Sequence, residues 1–293
     1  MAREKYRFNT RGGRVFDVFN VVLLSAIGVI ALVPFVFVIA GSFATEAELA
    51  TRSFFLWPET FSLRAYESIL TSPAFIRAII TTILVTAVGT AIQLLLTATM
   101  AYPLSKSNLP GGRVVLYAVI VTLVFGGGMI PTFLVVKDLG LLDTYWALIL
   151  PLAINPFSLI IIKNFFQQLP AELEEAAKID GANELQTLWR IILPLSTPVL
   201  ATFALFYAVG IWNDFMSPLL YLNDSSMWTL QMFLRQVTVA TDLSIVDADP
   251  SQLPPAQGIK FAVIVVATLP ILLFYPFLQK HFAKGMLIGS VKG

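Results

Sequence analysis

The sequence predicts an all-α polytopic membrane protein with six transmembrane helices, and three observations carry that prediction. Of its residues, 57% are hydrophobic and only 13% charged, with a mean hydropathy of +0.80, whereas soluble domains carry about 25% charged residues. The apolar residues gather into blocks near the roughly 20 residues that a helix needs to cross the hydrocarbon core. Basic residues also divide unevenly between the loops that separate these blocks.

The chain opens with a basic segment, 1–14, holding Arg3, Lys5, Arg7, Arg11 and Arg14. The apolar run that follows, from Val15 to about Gly41, exceeds the roughly 7–15 residues of a signal-peptide core, so it reads as a retained first span. Five further spans are predicted over about 76–101, 113–136, 145–163, 196–216 and 260–279. With the N-terminus inside, thirteen basic residues fall on the cytoplasmic side, and six (Arg52, Arg64, Arg77, Lys137, Arg235 and Lys260) fall outside. That ratio follows the positive-inside rule and places both termini in the cytoplasm. The expected organisation is a cytoplasmic N-terminus (1–14), a six-span domain (15–279) with a cytoplasmic loop at 164–195, and a cytoplasmic tail (280–293).

Two outer loops, about 42–75 and 217–259, are long. In the first, Leu63, Tyr66 and Leu70 recur at helical spacing and predict a short amphipathic helix at the membrane surface. The second carries Asp242, Asp247 and Asp249 and closes on Pro254-Pro255. Each reads equally as a solvated connection or as a landing surface for an external partner. Span 2 bears Thr82, Thr86, Thr90, Gln93 and Thr97 on one face, suited to a polar pore wall or to interhelical hydrogen bonds. In span 3, Gly126-Gly127-Gly128 ahead of Pro131 marks a bend or a close helix contact.

The loop at 164–195 is the most informative segment. Pro170 suits the first position of a helix, and Glu172, Glu174 and Glu175 fall in its first turns, where carboxylates oppose the helix dipole favourably. Leu173, Ala176, Ala177 and Asp180 share a face whose alanines would let a partner approach closely. Gly181 is placed to end the helix in a left-handed conformation. Asn183 with Gln186 has the spacing of a capping box for a second short helix running to Leu193-Pro194. An ordinary amphipathic loop is the alternative, but it does not account for the whole pattern together with its cytoplasmic placement.

Glu175-Ala176-Ala177-Lys178-Ile179-Asp180-Gly181, followed by Ile191-Ile192-Leu193-Pro194, resembles the EAA loop of importer-type ABC permeases. The tail, from Gln279-Lys280-His281-Phe282 through Lys284-Gly285 to Gly289-Ser290-Val291-Lys292-Gly293, is similar to that of maltose-type sugar permeases. So is Trp57-Pro58-Glu59-Thr60-Phe61-Ser62 with Tyr66. Gly127-Gly128-Met129-Ile130-Pro131 and Ala204–Val209 resemble a branch that handles complex oligosaccharides such as those of alginate. The tail departs at Lys280, where the family often has Arg, which puts a bidentate contact in doubt.

The resemblance implies a type I ABC importer permease fold and half of a translocation path. It also implies a second permease subunit, two ATPase subunits inside, and a solute-binding protein outside. Glu175, Ala176, Ala177, Asp180, Gly181, Leu193 and Pro194 would then couple the membrane domain to the ATPase. Lys284, Gly285, Gly289 and Lys292 would contact the ATPase pair from the tail, although Lys284 and Lys292 would serve equally to anchor the tail at anionic headgroups. Asn155, Pro156, Phe206, Tyr207 and Asn213 are candidates for the substrate path, the first two because broken backbone at mid-membrane depth often marks a transport site. A proline kink at Asn155-Pro156, and an interfacial aromatic belt that includes Trp212, are the competing readings.

Other classes fit less well. An intramembrane enzyme would need paired carboxylates, an activated serine or histidine ligands within the spans, and an ion-coupled secondary transporter would keep an ionisable relay there. The predicted spans hold almost no ionisable residues, and His281 is the sole histidine. No Gly-x-x-x-x-Gly-Lys-Ser/Thr motif occurs, so ATP and Mg are expected only through a partner ATPase, with no cofactor or metal on this chain. Cysteine is absent and the net charge is +1, which offers no polyelectrolyte attraction to nucleic acid; the expected surroundings are the lipid bilayer of a bacterial inner membrane.

Overall fold

The computed structural model describes residues 11–247 and 256–289. Among the described residues the regular structure is helical, in the order α1 (Arg11–Ser42), α2 (Glu46–Thr51), α3 (Arg64–Thr71), α4 (Pro73–Leu104), α5 (Gly112–Val124), α6 (Met129–Asp138), α7 (Trp146–Ile149), α8 (Pro156–Gln167), α9 (Ala171–Ile179), α10 (Glu184–Thr187), α11 (Leu193–Leu195), α12 (Thr197–Asn213), α13 (Met216–Tyr221), α14 (Leu230–Asp247) and α15 (Ala256–Gly289).

Two stretches, Val15–Ser42 and Pro73–Leu104, are each long and apolar enough to cross a membrane alone. Three helix pairs reach that length only together: α5 with α6 bent by 117°, Trp146–Leu152 with α8 bent by 53°, and Glu184–Leu195 with α12 bent by 83°. The sixth expected span lies within α15, whose apolar part among the described residues is Gln257–Leu273. Spans 3 and 4 of the sequence reading are therefore broken rods, and the third corner falls where the loop meets the start of span 5. The reason in span 3 is Gly128, at φ +83°, in the turn between α5 and α6, a conformation that costs glycine little.

The chain divides into two compact units. The first comprises residues up to Thr71 together with 237–266. Here Ala40, Ala44, Leu49 and Phe55 pack around Phe261, and the Phe37 ring meets that of Phe261 edge-on at 5.5 Å. Gly41 is needed at this contact, because a Cβ there would lie 2.5 Å from the Phe261 ring. Glu48, although buried, is fully partnered: it accepts the backbone N–H of Glu59 at 3.0 Å and the Arg52 guanidinium at 2.7 Å. These contacts, the Glu59 N–H foremost, hold its carboxyl below the usual range. In this way Glu48 fixes the Trp57–Ser62 segment, with Trp57 left exposed at its tip.

The short helix expected around Leu63, Tyr66 and Leu70 is present as α3, which buries Ala65 and Ile69 within the chain and leaves Leu63 and Leu70 exposed. Tyr66 is held by its hydroxyl contact of 2.8 Å with Ser42 Oγ. That contact and the buried Ala65 and Ile69 fix the register of the helix.

The second unit comprises 72–236 and residues from Ala267 onward. Its axis is α4, started by Ser72, whose Oγ accepts the Phe75 N–H, with Pro73 in the first turn, where no N–H is missed. Helices α8 and α12 pack along α4, and Ala98, Ala101, Leu159, Ile162, Ile192 and Phe203 fill the space between them. The hydroxyl stripe of α4 divides in use. Thr82 Oγ1 accepts the Leu230 N–H at 2.8 Å, and Thr97 shares a 3.0 Å hydrogen bond with the Tyr207 hydroxyl. Thr86 and Thr90 have hydroxyls buried without a hydrogen-bond partner among the described residues. Toward the other end of the unit, Asp143, at φ +55°, accepts N–H groups from Asn223 and Asp224 and so ties the α6–α7 connection to the end of α13.

Candidate functional site: the loop between α8 and α12

Local sequence dictates the form of this loop. Helix α9 begins at Ala171 with Pro170 as the residue before it, one position earlier than the sequence reading had placed the proline. It ends in a complete Schellman motif: Ala182 N–H donates to Ala177 O at 2.9 Å and Gly181 N–H to Lys178 O at 3.1 Å. Gly181 adopts the expected left-handed conformation, at φ +77°, which satisfies the last carbonyls of the helix. The predicted capping box is present, with Gln186 N–H donating to Asn183 Oδ1 at 2.8 Å and Asn183 N–H to Gln186 Oε1 at 3.0 Å. After α10 the backbone widens into a π-helical turn over Leu188–Ile192, a form common at functional positions. Leu193-Pro194 then lies in the single turn of α11, and the 83° corner follows.

The predicted coupling residues divide between two faces. Glu175, Ala176, Asp180, Gly181 and Pro194 are exposed, and Leu193 is half-buried. Ala177 is buried, only 4% exposed, so the proposed docking face of paired alanines is corrected: its Ala177 half packs inside this chain. Beside Gly181 an open depression of about 390 Å³ is lined by Ala177, Asp180, Gly181, Ala182, Gln186 and Arg190.

The sequence reading missed two features. One is apolar: Ile179 is 86% exposed and Leu185 63%, with Trp189 half-exposed beside them. All three lie on the two short helices and the turn that follows, and no helical periodicity singles them out. The other is the attachment of the loop to α4. Tyr102 donates to Glu184 Oε2 at 2.8 Å, Lys178 pairs with the other oxygen of Glu184 at 3.0 Å, and Lys106 pairs with Glu174. Lys178 and then Tyr102 hold the Glu184 carboxyl below its usual range. These partners are up to 82 residues apart in sequence, which is why no local pattern revealed them.

The candidate substrate-path residues do not share one face. Asn155 is the N-cap of α8, its Oδ1 accepting the Ser158 N–H at 3.0 Å, with Pro156 in the first turn. The break in span 4 is therefore a capped helix start. Tyr207 is buried against Thr97, which corrects its placement as a candidate on the substrate path. Its neighbour Phe206 is half-exposed. Asn213 donates back to Val209 O at 2.8 Å, and Trp212 is buried with its indole N–H on Ala267 O, so Trp212 is not a belt residue. Lys284, Gly285 and Gly289 fall on the last part of α15, which stays helical to Gly289 despite its glycines. Continuity with the preceding span removes the nucleation cost that an isolated segment would meet. Lys292 lies outside the described residues.

Comparison with known proteins agrees with this architecture. The chain is 64% identical over 295 residues to the protein LplC of Bacillus subtilis (strain 168), covering all of both chains. It is 52% identical to the polygalacturonan/rhamnogalacturonan transport system permease protein YtcP of the same organism, over 96% of this chain and 99% of that one. Among solved structures it matches a chain of a bacterial ABC transporter involved in the import of the acidic polysaccharide alginate, with a TM-score of 0.87 and 32% identity, over 94% of this chain and 99% of the other. The family profile described as binding-protein-dependent transport system inner membrane component matches residues 6–288. With bent apolar helices around α4 and a capped two-helix loop leading into α12, this chain belongs to the family of binding-protein-dependent transport system inner membrane components.

Proposed function

We propose that the chain is one of two permease subunits of an ATP-driven importer of carbohydrate, and that the loop from Ala171 to Pro194 docks on a separate ATPase. The observation that carries the reading is the loop itself. Two short helices locked by a Schellman motif and a capping box carry Ile179, Leu185 and Trp189 outward. Apolar side chains so displayed on a polar segment fit a partner surface that covers them. Glu175, Asp180 and Gly181 border the same surface. In this reading both termini are cytoplasmic, ATP and Mg bind on the ATPase pair, and a solute-binding protein delivers substrate outside. The tail residues Lys284, Gly285, Gly289 and Lys292 approach the ATPase from the end of α15.

Two similarities support an oligosaccharide as cargo: to a polygalacturonan/rhamnogalacturonan permease and to an alginate importer. Both names point to uronate-bearing glycans, so the proposed substrate is an acidic oligosaccharide. Phe206, half-exposed on α12, is the aromatic residue proposed to meet it. Deletion of the gene followed by uptake assays with labelled oligogalacturonates, oligoalginates and neutral maltodextrins tests the reading. Loss of acidic-oligosaccharide uptake, restored by this chain and not by a Gly181→Val variant, is the expected result. Uptake unaltered by the deletion for every sugar tried would overturn the carbohydrate assignment.

A further inference from the structure

The loop is joined covalently to α8 by residues 168–170, and its covalent route to α12 is indirect. From Pro194 the chain turns an 83° corner before α12 begins, and a push on α9 and α10 must pass through it. A second route is direct and lies at the C-terminal end of α4. Glu184 receives the Tyr102 hydroxyl on one carboxylate oxygen and the Lys178 ammonium on the other, so one carboxylate joins α4, α9 and α10. Lys106, just past the end of α4, pairs with Glu174 on α9 and lies over the Tyr102 ring at 4.2 Å from its centre. Gln167, the last residue of α8, donates to Ser105 O at 3.2 Å. Tyr102 is 5% exposed, and the Lys106 and Glu174 side chains are 20% and 22% exposed, so that pair is shielded more than a typical surface ion pair, whereas the Lys178 and Glu184 side chains are 56% and 59% exposed.

We infer that Tyr102 and Lys106 are positioning residues that latch the loop to α4, making α4 a second output of the coupling movement beside α12. The inference rests on the proposed docking of the loop to an ATPase. The polar locks of α4 lie toward its two ends, at Thr82 and Thr97, while between them the Thr86 and Thr90 hydroxyls have no partner among the described residues. Glu184, as the shared acceptor, is the joint of the latch.

The whole importer complex in nanodiscs provides the test. The chain lacks cysteine, so spin labels placed through Leu96→Cys on α4 and Glu172→Cys on α9 report one distance. In the otherwise native complex that distance is expected to be the same without nucleotide and in the ATP-trapped state. In Tyr102→Phe, which keeps the ring in its packing, and in Lys106→Glu, the ATP-trapped distribution should broaden and move. Lys106→Glu combined with Glu174→Lys should restore it, an outcome that a simple loss of folding would not give. A distance that changes with nucleotide in the native complex overturns the latch. So does one that stays fixed in both variants, and so does a broadening in Lys106→Glu that the charge exchange fails to reverse. Failure of the ATPase to co-purify with the native permease, with the α4–α9 distance in that permease alone still single and narrow, would refute the docking reading instead.

Discussion

Replacing Gly181 separates a backbone requirement from a requirement for space. The residue sits at φ +77°, and a Cβ built there meets nothing within 4 Å. Within this chain the cost of a side chain is therefore conformational alone. An L-residue in the left-handed region pays about 1–2 kcal/mol, and asparagine less, because its short amide tolerates that region. Gly181→Ala should then cost about 1 kcal/mol and Gly181→Val about 2 kcal/mol or more, since a β-branched residue is an outlier there. With tenfold per 1.4 kcal/mol, the Schellman turn would open about fivefold more often in the alanine variant and about thirtyfold more often in the valine variant. The reporter is the Ala182 amide, which donates to Ala177 O. Its hydrogen exchange should accelerate by those factors, and Gly181→Asn should stay near the native rate. Co-purification of the ATPase and transport should follow the same order, asparagine best and valine worst. If asparagine abolishes docking as fully as valine while the Ala182 amide stays protected, the left-handed backbone is not the reason. Gly181 would then be required because the partner surface leaves no room for a side chain.

Three further outcomes follow from the packing. Gly41→Ala places a methyl 2.5 Å from the Phe261 ring, and because a phenyl ring cannot fold aside, thermal unfolding of the detergent-purified protein should show a loss of about 1–3 kcal/mol; an unchanged midpoint would mean the helices move apart freely. Tyr207→Phe leaves the fully buried Thr97 hydroxyl to turn back on its own helix, and should cost about 1 kcal/mol with unaltered sugar affinity; a selective loss of affinity would return Tyr207 to the substrate path. Glu184 has a depressed folded pKa, so its contribution is present above the unfolded value of about 4.3 and is lost as pH falls through the lower folded value. Hydrogen exchange over α10, corrected for the intrinsic pH dependence, should therefore show protection falling away below about pH 4, and Glu184→Gln should remove that dependence; an identical profile in the variant would deny Glu184 the role.

What the sequence made legible was local. The Schellman glycine and the Asn183–Gln186 box involve partners within five residues, so their residue types alone predict them. The breaks at Gly128 and Asn155-Pro156 were legible from the glycine run and the proline, but the size of the bends, 117° and 53°, was not, because apolar content continues across both. Periodicity located α3, but which of its residues pack within the chain, Ala65 and Ile69 with Tyr66 bonded to Ser42, depends on partners far off in sequence. The assignment of Tyr207 failed for a related reason: an aromatic residue beside a membrane boundary looks alike whether its hydroxyl faces a sugar or a threonine on the next helix. Only the α4–α12 packing distinguishes the two.

The same division explains how the loop can serve as a moving part. Its two helices are shaped by their own caps, so its form does not depend on the membrane helices it joins. A unit of that kind moves as a body, and a body transmits displacement only where it is attached. The chain itself attaches it to α8 through residues 168–170 and to α12 at the 83° corner, and the carboxylate of Glu184, with the Lys106–Glu174 pair beside it, attaches it to α4. Local rules fix the shape of the lever, and long-range polar contacts fix what it pulls. A substitution in the caps should therefore disturb docking first, whereas one in the Tyr102–Glu184 joint should leave docking intact and disturb the response of α4.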